Sequence, residues 1–519
     1  MPDGLVLVGM PTSGKSTVGR MVAERLGRPF FDTDELAARR VGMPVAAYIK
    51  RHGASAYRAV EAEAVAEACA SVGAVIATGG GAVLDPLNRW TLWHHGTVAW
   101  LDAPADVLLG RLHADGVPRP TLMPYTSASV ETALAARSPM YRAADVRLNA
   151  SAPTEGLADE LVGRRDMPAV RRLYDADVAR HHPIGPESAR VVMGLNVVAM
   201  APDGVAVVDR RLLRVAPELV AQVPARACLP MVAGERSKRL RRLEPILEWL
   251  AEHRTERDTP LLAVGGGTIG DLAGTAAALF ARGLPLVHVP TTWLAQADSA
   301  IGGKVAVDLA GAKNAAGAFW PPVGVVSDVS ALRSLPTRLR RDGMAESVKA
   351  ALLGDPALWR LLEDRGRKAL RADEPARYAI VERSARLKLA VCARDPFESG
   401  ERRTLNLGHT IGHALEIESG YRVAHGAAVA LGLRAVAAIA AGRGADPELA
   451  PRLDDLLADL GFATHRAFDA RRVRDAMGGD KKRAGGRQRW ILPMEVGRVV
   501  EVHDVTDAEL ERALRAIGA

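Results

Sequence analysis

The sequence predicts an α/β protein: one parallel sheet covered by helices, a second α/β domain, and a mostly α-helical domain at the end. Three observations predict it. The apolar run Leu5–Val8 leads into the glycine loop Gly9-Met-Pro-Thr-Ser-Gly14-Lys15-Ser16, and the run Leu261–Val264 leads into Gly265-Gly-Gly-Thr-Ile-Gly-Asp271. After Ser334 the chain turns alanine-rich and helical, with histidines and glycines clustered in it. Strand, tight loop and helix start form the place where a phosphate meets backbone N–H groups and a helix dipole. Two such loops, far apart, read as two enzymes joined end to end.

Length agrees with that reading, because 519 residues exceed what one hydrophobic core holds. Apolar content of 48% and charged content of 25% are ordinary for a globular protein. The net charge of +7 is spread along the chain as arginine, with no basic stretch interleaved with aromatics. Small anionic substrates account for it, and no nucleic-acid partner is expected. Cys69, Cys228 and Cys392 lie far apart and form no CxxC pair, which predicts a reducing, cytoplasmic setting. No basic segment followed by an apolar one opens the chain. The most apolar stretch, Ala427–Ala441, is broken by Gly432 and Arg434 and falls short of the ~20 residues that span a bilayer, so no membrane partner is expected.

In residues 1–150, strand runs at Leu5–Val8, Ala74–Ala77 and Val98–Leu101 alternate with amphipathic stretches such as Val18, Met21, Val22 and Leu26. Residues 151–172 lose the pattern around Ser151-Ala-Pro-Thr and Asp166-Met-Pro and read as a linker. Residues 173–333 resume it, with strands near Ala206–Val208, Leu261–Val264 and Leu286–Val289. Residues 334–519 read as helical for most of their length, ending in the amphipathic segment Asp507–Ile517 and packed on the second α/β domain. Three folded units are expected.

G-x-x-x-x-G-K-[ST] after a strand is a specific phosphate signal. Its glycines let backbone N–H groups wrap the phosphates, Lys15 brings a point charge, and the Ser16 hydroxyl suits Mg²⁺. Asp32 and Asp34 follow Phe30-Phe31 at a strand end: one carboxylate can order Mg²⁺, and the other can orient a substrate hydroxyl. Gly79-Gly80-Gly81 admits close approach to backbone, and Arg58, Arg119 and Arg137 are candidate anion clamps.

Together these motifs resemble shikimate kinase over about residues 4 to 148, including Tyr57-Arg58, Ala77-Thr-Gly-Gly-Gly-Ala82, Arg119-Pro120 and Arg137-Ser-Pro-Met-Tyr-Arg142. The resemblance implies a P-loop kinase-type sheet, with shikimate bound by Asp34, Arg58, Gly80 and Arg137. It implies ATP bound by Gly14, Lys15, Ser16, Thr17 and lid residue Arg119, with Mg²⁺ at Ser16 and Asp32. Lys15 and Asp34 would carry catalysis by positioning and charge neutralisation. Pro11-Thr12 inside the loop, and Tyr57 where phenylalanine is common, depart from the family pattern.

In the second half, His409 and His413 stand at i, i+4 and so share a helix face. His425 follows, and Glu346 lies upstream. Two histidines, a carboxylate and an open position form the ligand set of a catalytic zinc. The loop at Gly265 has no P-loop lysine and suits a dinucleotide pyrophosphate. With Val289-Pro-Thr-Thr292, Asp298-Ser-Ala-Ile-Gly-Gly-Lys304, Gly311-Ala-Lys-Asn314, Gly343-Met-Ala-Glu346, Arg402 to Glu416 and Asp480-Lys-Lys482, residues 185 to 515 resemble 3-dehydroquinate synthase.

That resemblance implies a Rossmann-like α/β domain followed by a helical metal-binding domain, with Zn²⁺ or Co²⁺ on Glu346, His409 and His425. It implies NAD⁺ on Asp209, the turn from Glu235 to Lys238, Gly266, Gly267, Asp271, Thr291, Thr292 and Lys313. It implies the substrate, 3-deoxy-D-arabino-heptulosonate 7-phosphate, on Arg282, Asp298, Lys304, Asn314, Lys349, Lys388, Arg402, Asn406, Lys481 and Lys482. Glu398 and His413 fall at the family's proton-transfer positions, and a homodimer through this half is implied. Ala427, Ala350 and Pro396 depart from the pattern, Ala427 replacing the usual glutamate after His-Gly. Competing readings are a cyclase of another sugar phosphate such as sedoheptulose 7-phosphate, a metal-dependent polyol dehydrogenase, and a half kept only for regulation.

Overall fold

The structure is a computed structural model, and it describes residues 4–163, 170–182, 184–309, 312–478, 483–484 and 487–518. The chain divides into two compact units, one of residues 1–177 with 191–197 and one of residues 178–190 with 198–519.

The first unit is built on a five-stranded parallel sheet of β1 (Gly4–Val8), β2 (Phe30–Asp32), β3 (Val75–Ala77), β4 (Gly96–Asp102) and β5 (Val146–Asn149), in the order β2-β3-β1-β4-β5. Its central strand β1 is buried throughout, as an apolar run covered by helices on both faces requires. Asp32 ends β2 and caps the next helix, Thr33–Val41, by accepting hydrogen bonds from Asp34 N and Glu35 N. Parallel strands therefore deliver the phosphate loop, the Asp32–Asp34 pair and the glycine run to the carboxyl edge of one sheet, where such folds bind ligands.

The stretch expected as a linker, 151–172, is not one. It contains the helix Thr154–Val162, with Leu157, Ala158 and Leu161 buried, and the start of strand β6 (Arg171–Ala179). Pro153-Thr154-Glu155 resembles a turn, but proline followed by an acid also opens helices. Residues 164–169 lie outside the described residues. A further strand, β7 (Ser188–Leu195), follows β6.

The second unit starts from a parallel arrangement of β8 (Gly204–Asp209), β9 (Ala225–Met231), β10 (Leu261–Gly265), β11 (Leu286–Pro290) and β14 (Gly324–Asp328), in the order β14-β11-β10-β8-β9. An antiparallel ribbon of β12 (Lys304–Leu309) and β13 (Ala312–Phe319) stands beside it. Register aligns Val208 with Val264, and Gly265 with Pro290, so Asp209, the glycine loop and Thr291-Thr292 meet at one edge.

The helical part packs on the second α/β part, as expected, and both lie in one compact unit. Gly343 in the helix Thr337–Gly354 packs against Trp293 and Leu294 so closely that a Cβ there would lie 2.5 Å from Leu294 N. Trp293 Nε1 donates to Ser347 Oγ at 3.1 Å, joining the two parts in one core. The chain end is also not all helix, because Trp490–Glu495 and Arg498–Val502 pair as an antiparallel ribbon. No helix among the described residues is long and apolar enough to cross a membrane.

Two helices, His409–Glu418 and His425–Ala441, carry the histidines. Their close approach requires Gly432, where a Cβ would lie 2.0 Å from Gly408 O. Gly432→Ala is expected to destabilise the second unit by about 1–3 kcal/mol through overpacking. The chemical-denaturation midpoint of that unit should fall; an unchanged midpoint would show that the helices separate freely.

Candidate functional site

At the N-terminal site Gly14 takes φ 92°, a left-handed turn that lets Lys15 open the helix Lys15–Leu26. Lys15 is buried, and its Nζ donates to Met10 O at 2.7 Å. Burial pushes its ammonium down to about 8, against the pull of Asp34 and Asp32. Ser16 Oγ donates to Asp32 Oδ2 at 2.6 Å, while Asp32 Oδ1 accepts from Asp34 N at 2.9 Å. The two groups expected at Mg²⁺ thus touch, a hydroxyl and a carboxylate in the oxygen chemistry that ion takes.

Asp34 accepts the Tyr57 hydroxyl at 2.8 Å. Burial raises its carboxyl above the usual range, and that hydrogen bond works against the rise. The glycine run after β3 is where the parts converge. A Cβ would lie 2.6 Å from Asp34 Oδ1 at Gly79, 2.5 Å from Pro11 Cδ at Gly80, and 2.6 Å from Arg58 Nη1 at Gly81. Arg58 pairs with Glu61 Oε2 at 2.5 Å, and Arg137 is buried with Nη1 3.3 Å from Met10 Sδ. Gly80 O accepts from Tyr141 Oη at 2.7 Å. Arg119 pairs with Asp115 at 3.1 Å, and Thr17 is exposed. Sequence reasoning missed Glu61, which braces Arg58, and Arg111, whose Nη1 donates to Thr12 O at 3.3 Å. Glu61 stands at i+3 from Arg58, a helix-neighbour spacing that could have exposed it.

If Lys15 grips a nucleotide phosphate as the sequence leads one to expect, it must be charged to do so, and kcat/KM for the nucleotide is expected to fall as pH rises above about 8. That quotient reports the free enzyme. A bound phosphate raises the lysine's pKa, so the basic limb of kcat should lie higher. Coincident limbs would contradict the assignment.

In the second unit the turn after β10 leads into the helix Gly267–Leu279. A Cβ at Gly266 would lie 2.9 Å from Thr292 Cγ2, and one at Gly267 3.0 Å from Ser299 Oγ. The glycines thus let the helix start approach Thr292 and Ser299 closely, and with Gly270, Asp271 and Lys304 they line a pocket at a helix N-terminus, which fits a pyrophosphate. Thr291 N donates to Gly265 O at 2.9 Å, and Asp209 ends β8. Lys238 pairs with Asp271 Oδ2 at 2.5 Å and also contacts Asn314. Lys313 pairs with Glu235 at 3.1 Å.

Behind this edge, one ligand atom each from Glu346, His409 and His425 lie within 4.8 Å of one another. Glu346 Oε1 stands 3.0 Å from His425 Nε2 and 3.4 Å from His409 Nε2. His409 Nδ1 faces Leu407 O at 3.0 Å, which turns Nε2 toward the carboxylate. Burial disfavours a charged imidazole at His425, yet the Glu346 and Glu416 carboxylates outweigh it and hold the ring's pKa up to about 10. Two imidazole nitrogens and one carboxylate oxygen converging in this way suit zinc or cobalt. The His413 ring lies 5.2 Å from that of His409.

The cationic candidates gather in front of these ligands. Lys349 pairs with Glu346, and Lys388 with Asp298 Oδ1 at 2.6 Å. Asp298 is held below the usual carboxylate range although burial opposes it, because Lys388 and Lys349 prevail. Lys304 pairs with Glu398, which also accepts from Asn406 Nδ2 at 3.1 Å. Arg402 is buried and donates to Gly302 O at 2.7 Å. Arg282 is exposed at φ 64° and is not seen to join the cluster among the described residues. Lys481 and Lys482 lie outside the described residues.

Residues 11–164 match the family model for shikimate kinase, 228–342 that for the N-terminal domain of 3-dehydroquinate synthase, and 343–483 that for its C-terminal domain. The 3-dehydroquinate synthase of Xanthomonas campestris pv. campestris is 40% identical over 342 residues, which span 64% of this chain and 90% of that protein. A 2-epi-valiolone synthase of Actinosynnema mirum is 39% identical over 328 residues, 62% of this chain and 85% of that one. The solved 2-epi-5-epi-valiolone synthase of Streptomyces hygroscopicus subsp. jinggangensis 5008, with NAD⁺ and Zn²⁺ bound, superposes with TM-score 0.60 at 26% identity, covering 65% of this chain and 98% of that one.

Proposed function

Since the chain belongs to the 3-dehydroquinate synthase family and carries a shikimate kinase domain ahead of it, we propose that its second half closes 3-deoxy-D-arabino-heptulosonate 7-phosphate to 3-dehydroquinate. Its first half phosphorylates shikimate with ATP. The observation that carries the substrate choice is this fusion: both products belong to one route, although dehydroquinate must be dehydrated and reduced before shikimate exists. Fixed co-production accounts for the fusion, and direct transfer between the sites is not required.

In the kinase, Asp34 orients the shikimate hydroxyl while Arg58 and Arg137 take its carboxylate. Lys15 and the loop N–H groups hold the transferred phosphate, and Mg²⁺ at Ser16 and Asp32 supplies further charge neutralisation. In the cyclase, Lys349, Lys388, Lys304 and Arg402 hold the substrate's carboxylate and phosphate, and remote binding of this type orients the reacting carbons. When bound, NAD⁺ supplies a transient hydride acceptor and the metal polarises the oxygen being oxidised. Glu398 and His413 move protons as phosphate leaves and the carbocycle closes. Glu346, His409 and His425 would hold the metal.

The second reading is a cyclase acting on sedoheptulose 7-phosphate, favoured by the 39% identity to a 2-epi-valiolone synthase. Sedoheptulose 7-phosphate lacks the carboxylate. A site whose buried cations await that group should reject the analogue by at least ~100-fold in kcat/KM, given that missing polar partners can cost far more. Competition between the two sugars, followed by phosphate release, tests it; equal kcat/KM values would transfer the assignment to the second reading.

A further inference from the structure

We propose that Glu416 is the positioning carboxylate of the metal ligand His425. The inference rests on the reading of Glu346, His409 and His425 as a metal set.

His425 begins its helix, and its two ring nitrogens face carboxylates on opposite sides: Nε2 lies 3.0 Å from Glu346 Oε1, and Nδ1 lies 3.4 Å from Glu416 Oε1. Glu416 is on the preceding helix, three residues after His413 and seven after His409, so all three line one face. It is 4% exposed, too buried for a charged side chain without a task. Its Oε2 has no hydrogen-bond partner among the described residues. Lys313 compensates the charge, with Nζ 3.2 Å from Glu416 Oε1 and 3.1 Å from Glu235. A histidine bound to metal through one nitrogen is commonly held by a carboxylate at the other, which sets its tautomer and ring angle. Here the carboxylate that faces Nδ1, which has no hydrogen-bond partner among the described residues, comes from a neighbouring helix and is tied by Lys313 to the turn expected to hold the cofactor.

The test is Co²⁺ titration of the metal-stripped full chain against a competing chelator, with the visible ligand-field spectrum recorded. Glu416→Ala is expected to weaken Co²⁺ binding by about 10–100-fold and to shift the band. Glu416→Gln, which keeps an oxygen to accept from Nδ1–H, should recover most of the affinity. Circular dichroism of the metal-free protein and the chemical-denaturation midpoint of its second unit report whether the variants fold. Co²⁺ affinity within about twofold of wild type in Glu416→Ala, with an unchanged spectrum, would overturn the proposal. So would a second Co²⁺ per chain, held by His413, Glu416 and His425. His409→Ala separates the two claims: if it binds Co²⁺ as tightly as wild type, the metal set itself is wrong, whatever Glu416 does.

Discussion

Lys15→Ala is expected to lower shikimate phosphorylation by about 10²–10³-fold, the usual loss when a preorganised charge is removed from a developing anion. Phosphate release from the heptulosonate should continue at the wild-type rate. The size of the first effect follows from burial. Lys15 is the loop's own cation, only 7% exposed, and its ammonium rests on Met10 O. No neutral side chain replaces a point charge at that depth. The second expectation follows from the separate location of the synthase residues, all in the second compact unit. Initial-rate assays of both reactions on the same preparation check it. Loss of both activities would mean that the halves depend on one another.

His409→Ala is expected to do the converse. It removes one of the two histidine nitrogens that gather around Glu346 Oε1 and leaves Glu346 and His425 of the three expected ligands. Metal polarisation of a reacting oxygen is worth several kcal/mol, and each ~1.4 kcal/mol is a factor of ten. Phosphate release should therefore fall by about 10²–10³-fold, with metal content after dialysis falling in parallel. Chelation of the wild-type protein should reproduce the loss and added Zn²⁺ should reverse it, whereas the variant should not be rescued at the same Zn²⁺ concentration. The kinase keeps its rate. A variant that retains both metal and phosphate release would remove His409 from the set.

How legible the site was depended on how local each signal is. The phosphate loop could be read directly, because strand, loop and Lys15 are contiguous and their geometry is set by neighbours in sequence. The second glycine loop was legible for the same reason. The metal set was only partly so. Spacing put His409 and His413 on one face, but the nitrogen that joins His409 at Glu346 belongs to His425 on the next helix. That pairing depends on how two helices pack at Gly408 and Gly432, which no helical period encodes. The resemblance supplied it. Glu416 and Glu61 escaped notice because an acid on an amphipathic helix looks like a solvated charge until its burial is known. The helix Thr154–Val162 was lost to its own start, where Pro153 and Thr154 signalled a turn, although Leu157 and Leu161 stand at helical spacing. The ribbon from Trp490 to Val502 was not singled out within a stretch read as mostly helical, despite β-branched residues around Gly497.

One measurement addresses both halves together: ³¹P NMR of the intact chain with shikimate, Mg²⁺-ATP, 3-deoxy-D-arabino-heptulosonate 7-phosphate, NAD⁺ and Zn²⁺. Two changes should proceed in the same tube. A shikimate 3-phosphate signal should grow with ADP, and the heptulosonate phosphate should convert to inorganic phosphate without net consumption of NAD⁺. Growth of the first signal while the heptulosonate phosphate persists, with phosphate released instead in a parallel tube that holds sedoheptulose 7-phosphate in its place, would contradict the account.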